Sequence, residues 1–534
     1  MRRGRPRHPD ILTPRQWQVL ELLRQGLTNE QIARRLGLTL DGAKYHVSEI
    51  ITKLGVSSRE QAAAWTPERE ARRLGALAPL TLLFRKATPG AAAKVAAGAG
   101  ALVVVGAALL LALALLLDLG PQESGPTGEP GSLGKLAYIR NGDLWVMSLP
   151  GGRPVRLTTN GQMSYPRWSP SGEWLLAGET VVRADGGRRR AAPGCVAWSP
   201  VADELACVDP AGGFRLEAPT GALLRTISIR ALLPGAAAGT TIRGPYWSPD
   251  GAKLAYAADG PLNRSQEPYS RLSSLWVANA DGTNAQLLYA NDAYAGPESG
   301  QVGVLRWTPD GSSILSSLNP QFSASIAADG LPLYAISVGG GAPRRLGVVA
   351  LTRDELIGQF ASRTALALTE GFGRETWTRK RIAVVDTASG AVTFLTGTDT
   401  AAFSPEWSPD GRQVAYVAGP DIGPVGGGDD ARQGAGQRRI WVMDADGANK
   451  RQLTDDPAYR DERPLWSRDG SCLLFARIDN AEDVASLWLL PVTDGTPVKV
   501  TDLSWPRSAQ DPALWFGFYG YIPWDRYFAW WQGS

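Results

Sequence analysis

The spacing of apolar residues changes character twice along this chain. Between Trp17 and Ala64 apolar positions recur with the helical period; from 95 to 117 polar positions disappear; beyond about residue 134 short apolar runs alternate with turn residues. The pattern predicts three kinds of structure in order: a small all-α domain, a single transmembrane helix and an all-β body.

Helix signals in the first part are dense. Thr13-Pro14-Arg15-Gln16 combines a capping box with proline at the first helical position, Trp17, Leu20 and Leu23 follow at helical spacing, and Gly26 ends the helix. Thr28-Asn29-Glu30-Gln31 is a second capping box that opens a helix with Ile32, Ala33 and Leu36 inward, stopped by Gly37. A longer helix is predicted over 41–54, closed by Gly55, and a fourth begins at Ser58. Four short helices in this order form a helix-turn-helix unit. At 100° per residue, Ala43, Val47, Ile50 and Leu54 of the third helix form a packing stripe, while Asp41, Lys44, Tyr45, Ser48 and Thr52 lie opposite, on the face that would enter a major groove.

The run VAAGAGALVVVGAALLLALALLL, residues 95–117, carries no charge and shows no polar face. As a helix it would be roughly 35 Å long, enough to span a bilayer core of ~30 Å with some tilt. Arg85, Lys86 and Lys94 precede it, whereas the GPQESGPTGEPGS loop after Asp118 has no basic residue, so the positive-inside rule places the N-terminus in the cytoplasm. With 94 residues ahead of it, the run reads as a retained anchor rather than a cleaved signal. The segment before it reads either as a lipid-surface stretch around Leu80 to Phe84 or as a plain linker.

In the all-β part a phrase recurs, at Trp168, Trp198, Trp247, Trp307, Trp407 and Trp466, typified by Trp-Ser-Pro-Asp-Gly. Each copy leads into an apolar strand, an aromatic strand and a polar strand, four short strands per unit, which describes a propeller blade. FASRTALALTEG from Phe360 is a degraded seventh copy. The entry segment GKLAYIRNGDLWVMSLPGGRPVRLT lacks a Trp phrase, and DPALWFGF at 511–518 resembles the missing strand, so a ring closed by both termini is expected. The prediction is eight blades, with seven as the alternative. The Trp residues are read as packing between blades and the Asp-Gly pairs as turn chemistry rather than metal ligands. Two insertions, 259–274 and 419–437, are expected as flexible loops, at the border of a ligand or merely on the surface. The aromatic run YGYIPWDRYFAWWQGS must be buried on the ring, in a partner or at lipid.

Composition sharpens the division. The net charge of +3 combines 17 Lys/Arg against 8 Asp/Glu in residues 1–95 with 38 against 44 in the rest, so a polyanion partner is expected for the head alone. Three cysteines exclude a disulfide framework; Cys195 and Cys207 fall on neighbouring strands of one hairpin, as a disulfide or as two small core residues. Both histidines, His8 and His46, precede the span, which leaves the β body without Ser-His-Asp chemistry or His-ligated metal sites. No catalytic residue, metal site or cofactor is expected, and the chain is read as a non-enzyme.

Residues 12–64 resemble the LuxR-type helix-turn-helix. Thr39, Lys44, His46, Lys53 to Val56 and Ser58-Arg59 match its pattern, while Gly42 and Ala43 replace a usual Thr-Val, Asp41 puts an acid on the DNA side and Gln16 replaces a common Glu. The resemblance implies double-stranded DNA as partner, contacted by Asp41, Gly42, Lys44, Tyr45, Ser48, Thr52 and Lys53, and a homodimer on DNA formed through the last helix. The Trp phrases resemble the TolB-like propeller repeat, which implies a binding surface.

The chain is thus expected to comprise a basic tail (1–10), a helix-turn-helix domain (11–66), a juxtamembrane linker (67–94), the transmembrane helix (95–117), a Gly/Pro-rich linker (118–133), the propeller (134–518) and an aromatic tail (519–534). The expected function is a membrane-anchored one-component transcription regulator, its cytoplasmic head on DNA and its extracytoplasmic propeller sensing an unknown ligand or protein. The alternative is an extracytoplasmic binding scaffold whose head is a protein-interaction module.

Overall fold

A computed structural model describes residues 14–36, Val47, Ile50 and 59–64 of the N-terminal part and most of 132–533, with gaps that include 262–271, 294–299 and 505–515. It separates into two compact units, 1–123 and 124–534.

In the first unit helices span Pro14–Arg24, Asn29–Leu36 and Arg59–Ala64. Pro14 stands at the first helical position, where a missing N–H costs nothing. The second capping box is reciprocal: the Thr28 N–H donates to Gln31 Oε1 at 2.8 Å and the Gln31 N–H to Thr28 Oγ1 at 3.3 Å. Val19, Leu20, Leu22, Leu23, Ile32, Val47, Ile50 and Ala62 share one core. Besides Leu20 and Leu23 of the predicted Trp17, Leu20 and Leu23 stripe, the first helix buries Val19 and Leu22, because two helices together with Val47 and Ile50 share its core. Asp41, Gly42, Lys44, Tyr45, Ser48, Thr52 and Lys53 lie outside the described residues, as does the predicted span 95–117. Among the described residues no helix is long and apolar enough to cross a membrane.

The second unit is an eight-bladed propeller of four-stranded antiparallel sheets. Blades two to eight occupy 167–191, 195–228, 241–290, 301–350, 357–394, 400–452 and 459–503, each a meander in chain order. Blade six is the degraded copy, with Ile357–Phe360 and Ala365–Glu370 as its first two strands. Blade one joins Gly134–Arg140, Asp143–Leu149 and Val155–Arg156 to the C-terminal strand Phe528–Trp531.

That last strand corrects the expectation that 511–518 closes the ring. Phe528–Trp531 pairs antiparallel with the entry strand, Leu136 opposite Trp530 and Tyr138 opposite Phe528. Trp530 stands opposite Leu136 as Trp247 stands opposite Leu254 and Trp466 opposite Leu473, so it occupies the place of the repeat Trp without the Ser-Pro that follows elsewhere. Residues 516–527 instead run across other blades before the chain reaches its closing position.

Four copies share a device ahead of the Trp: Tyr-Pro-Arg-Trp, Gly-Pro-Tyr-Trp, Ser-Pro-Glu-Trp and Arg-Pro-Leu-Trp. Tyr165, Gly244, Ser404 and Arg463 have φ of 53°, 118°, 51° and 55°. In the last three the register slips between Arg243 and Tyr246, Phe403 and Glu406, and Glu462 and Leu465. Proline, lacking an N–H, fits such a bulge on the strand at the inner edge of a blade.

Candidate functional sites on the head and the propeller

The head is held in shape by Arg59, whose guanidinium donates to Asn29 Oδ1 at 3.1 Å and to the Leu27 carbonyl. This ties the last helix to the turn between the first two. Arg34 and Arg35 are exposed at the end of the second helix, consistent with a basic surface suited to a polyanion.

In the propeller the repeat Trp residues make a chain of hydrogen bonds from blade to blade. The indoles of Trp168, Trp198, Trp307 and Trp466 donate to the carbonyls of Ala529, Arg167, Tyr246 and Glu406 at 3.0–3.1 Å. Each acceptor immediately precedes the Trp of the preceding blade. Trp247 and Trp407 have no such partner; blade six, ahead of Trp407, has no repeat Trp.

The first strands of blades two to five line a cavity of about 890 Å³, with Arg167 and Arg306 among its walls. Arg306 reaches into the degraded blade, donating to the Gly358 and Ile357 carbonyls at 2.8 Å each. Near it Glu406 is partly buried, and burial pushes its carboxyl up to about 7 against the pull of Arg463 and Arg306.

A buried ionic cluster fastens the C-terminal segment. Blade eight carries Arg460, Asp461 and Glu462 consecutively on its first strand, all buried. Glu462 accepts from Arg438 at 2.6 Å, from Arg460 at 2.7 Å and from the Trp524 indole at 2.9 Å. Burial raises its carboxyl and the two guanidinium groups more than offset that, leaving it below its usual range. Arg438 also donates to the Gly520 carbonyl at 2.6 Å and to Thr376 Oγ1 at 2.8 Å. Asp461 takes a two-pronged pair from Arg477, whose guanidinium sits 4.7 and 4.9 Å from the Tyr459 and Trp488 rings. Sequence reasoning missed this cluster; its signal is Arg-Asp-Glu-Arg, a run of charged residues, where the corresponding stretches Gln-Met-Ser-Tyr, Thr-Ile-Arg-Gly and Ala-Ala-Phe-Ser carry at most one charge.

The insertion at 419–437 is not the loose loop expected. Asp429–Gly436 is a helix with Ala431 and Ala435 buried against Trp377 and Phe516, and Ile422 and Val425 pack there too. Asp421 anchors its start by accepting from Thr378 Oγ1, Arg379 N and Gly423 N at 2.7–2.8 Å. Of the 259–274 insertion, Asp259 and Ser273 are hydrogen bonded at 2.7 Å, and 262–271 lie outside the described residues. The aromatic tail is buried on the ring, with Tyr521, Ile522, Trp524, Tyr527 and Phe528 all in cores.

The Asp-Gly turns consume their carboxylates. Ser248, Thr308, Ser408 and Ser467 hydroxyls donate to Asp250, Asp310, Asp410 and Asp469 at 2.6–2.7 Å, and the backbone N–H two residues on does so as well. Cys195 and Cys207, directly opposite in register, form a disulfide. Glu217 beside them completes a metal-like grouping, but the thiols are consumed and Glu217 is paired with Arg190 at 3.0 Å and Arg215 at 2.6 Å, so these residues do not fit a metal.

Residues 10–66 match the family described as bacterial regulatory proteins, luxR family. The nitrate/nitrite response regulator protein NarL of Escherichia coli (strain K12) is 46% identical over 54 residues, 10% of this chain and 25% of that protein. A second relative, the uncharacterized peptidase YuxL of Bacillus subtilis (strain 168), is 29% identical over 128 residues, 24% of this chain and 17% of that one. This chain thus covers a quarter or less of the length of either relative. Among solved structures, the putative TolB from Agrobacterium tumefaciens is 20% identical with a TM-score of 0.30, covering 49% of this chain and 81% of that one. Porphyromonas gingivalis dipeptidyl peptidase 4 is 11% identical with a TM-score of 0.46, covering 75% and 64%. The chain combines a LuxR-type DNA-binding domain with an eight-bladed β-propeller, a pairing that fits a transcription regulator of double-stranded DNA.

The expectation of a non-enzyme is corrected by the similarity, over 128 residues, to a protein named as a peptidase. The absence of histidine after residue 46 excludes only imidazole chemistry. Glu406 near 7 and Lys380, which burial lowers to about 8, are side chains able to exchange protons near neutrality.

Proposed function

We propose that this protein is a membrane-anchored one-component transcription regulator. The observation that carries the reading is the match of residues 10–66 to the luxR family together with a packed core that includes Val47 and Ile50 of the expected recognition helix. On this reading Asp41, Gly42, Lys44, Tyr45, Ser48, Thr52 and Lys53 face the major groove, and two heads pair through the 59–64 helix to read two half-sites about one turn apart. Residues 95–117 anchor the chain in the bilayer, 67–94 and 118–133 are the flanking linkers, and the propeller lies outside the cytoplasm. The Cys195–Cys207 disulfide supports that placement, since disulfides persist in oxidising compartments. A signal bound by the propeller acts by favouring the paired state of the heads, to the extent that it binds that state better. The test is selection of source-genome fragments by the full-length protein in detergent. Enrichment of a discrete site, lost with Lys44→Ala, supports the reading; retention of no fragment over background contradicts it.

A second reading, peptidase activity in the propeller unit, is favoured by the similarity to the peptidase YuxL. Release of a chromophore from dipeptide anilides by the full-length protein, abolished by Glu406→Gln, is the outcome it expects.

A further inference from the structure

One end of blades two and three carries exposed apolar residues beside exposed arginines. Strand register fixes that end: Trp168 and Arg189 lie at it in blade two, Trp198 and Leu223 in blade three. Val201 is 62% exposed in the turn after Trp198, at the position where four other copies place Asp250, Asp310, Asp410 and Asp469. Leu223 and Leu224, 59% and 54% exposed, open the outermost strand of blade three. Arg188 and Arg189 are exposed on the neighbouring blade, and Arg190 joins the two blades, donating to the Ala218 and Pro219 carbonyls at 3.1 and 2.8 Å, just ahead of the leucines. The chain enters the ring at this same end. Lys135, opposite Trp531 of the closing strand, donates to the Gly172 carbonyl at 3.1 Å, and Ser171 beside it donates to Asp203 at 2.6 Å, in the turn that carries Val201.

We propose that this rim of blades two and three rests on a phospholipid surface, with Val201, Leu223 and Leu224 in the interfacial layer and the arginines on the lipid phosphates. Such a surface needs apolar area to bury and cations whose apolar stems lie along it while their heads reach the headgroups. Guanidinium groups match phosphate oxygens in geometry as well as charge. Asp185 pairs with Arg183 at 3.3 Å and Glu217 with Arg190 at 3.0 Å, so two of the rim's carboxylates are held by other arginines. Where the chain begins points to the same partner. Only residues 118–133 separate Gly134 from the apolar run at 95–117, at most about 55 Å of extended chain, so in an anchored protein the entry end of the blades is held near the bilayer. The leucines also disfavour a second copy as partner. Leu224 is the extra residue of a bulge, between Leu223 opposite Glu217 and Arg225 opposite Leu216, and a bulged edge blunts the addition of another strand, whereas a fluid apolar layer needs no register. The inference rests on the membrane-anchored part of the proposed function and is independent of DNA binding.

The test uses full-length protein reconstituted into vesicles of phosphatidylglycerol and phosphatidylcholine that carry a nitroxide headgroup. A fluorescent label is placed on Leu223→Cys, on Val201→Cys, or on Ala211→Cys in an exposed turn at the opposite end of blade three. The native cysteines do not compete, since Cys195 and Cys207 are bonded to each other and Cys472 is buried. Quenching at least about threefold stronger at both rim positions than at Ala211→Cys is expected, and Arg188→Gln with Arg189→Gln, or vesicles lacking phosphatidylglycerol, should lower it. Rim labels quenched no more than the Ala211→Cys label overturn the proposal, as does quenching indifferent to both the arginine substitutions and the anionic lipid. Shielding of the rim labels from aqueous iodide without nitroxide quenching identifies a second copy as the occupant and likewise overturns it. Extraction by alkaline carbonate reads the anchor separately: release of the protein from the vesicles contradicts the anchored reading, while quenching measured before extraction still decides the contact.

Discussion

The indole Nε1 of Trp168 donates to the backbone carbonyl of Ala529 at 3.1 Å, a contact between the first complete blade and the last strand across 361 residues of sequence. It repeats the bond that Trp198 makes to Arg167 one blade on, so the seam of the ring carries the same stitch as its ordinary joints. Closure is therefore built from the repeat's own chemistry.

Removing residues 528–534 takes away that acceptor and exposes the edge of the Gly134–Arg140 strand. The truncated protein is expected to aggregate, whereas Trp168→Phe loses one hydrogen bond and about 1 kcal/mol of stability. Size-exclusion chromatography and denaturant unfolding distinguish the two effects.

Glu462 sits between Arg438 and Arg460 with neither exposed to water. Glu462→Ala leaves two buried cations uncompensated and is expected to cost roughly 3–5 kcal/mol and release the 516–527 segment. Because the folded carboxyl lies below its usual range, its contribution is present above the unfolded value near 4.3 and is lost as pH falls through the folded value. Limited proteolysis within 516–527, compared between wild type and variant, reads the release directly.

Glu406 behaves in the opposite sense. Its folded carboxyl is raised to about 7, so the folded state holds the proton more tightly and stability declines as pH rises from the unfolded value through 7. Glu406→Gln is expected to raise stability at pH 8 by roughly 1–2 kcal/mol, a figure reduced for its partial exposure, and to change little at pH 4. Urea unfolding of both proteins at the two pH values checks the sign.

The Cys195–Cys207 disulfide closes a loop with a sequence separation of 12. Its loss in Cys195→Ala/Cys207→Ala is expected to cost up to about 3 kcal/mol. Mass spectrometry after alkylation of protein taken directly from cells should find both thiols blocked, in keeping with a propeller outside the cytoplasm.

Local chemistry made much of this fold legible. The Thr28–Gln31 capping box, Pro14 as helix start and the Trp-Ser-Pro-Asp-Gly phrase are short-range devices whose geometry is fixed by neighbouring residues, and they appear in the structure as such. The closing strand was misplaced because Phe528–Trp531 lacks the Ser-Pro that marks other copies; what selects it is pairing with residues almost 400 positions earlier. The 419–437 insertion looked loose from its glycines, yet Gly434 lies directly beside Ile422, where a side chain would clash. Arg-Asp-Glu-Arg at 460–463 was visible as an oddity, but its partners Arg438, Arg477 and Trp524 come from other strands and the tail, and no spacing rule links them.

Binding of the full-length protein in detergent to its selected genomic site, followed across a salt series, decides whether a DNA reader is joined to the sensing ring. A steep fall in affinity with salt, preference for the site over scrambled DNA and loss of that preference in Lys44→Ala are the predicted results. Affinity that ignores sequence, or that Lys44→Ala leaves unchanged, would contradict a DNA reader and favour the head as a protein-interaction module.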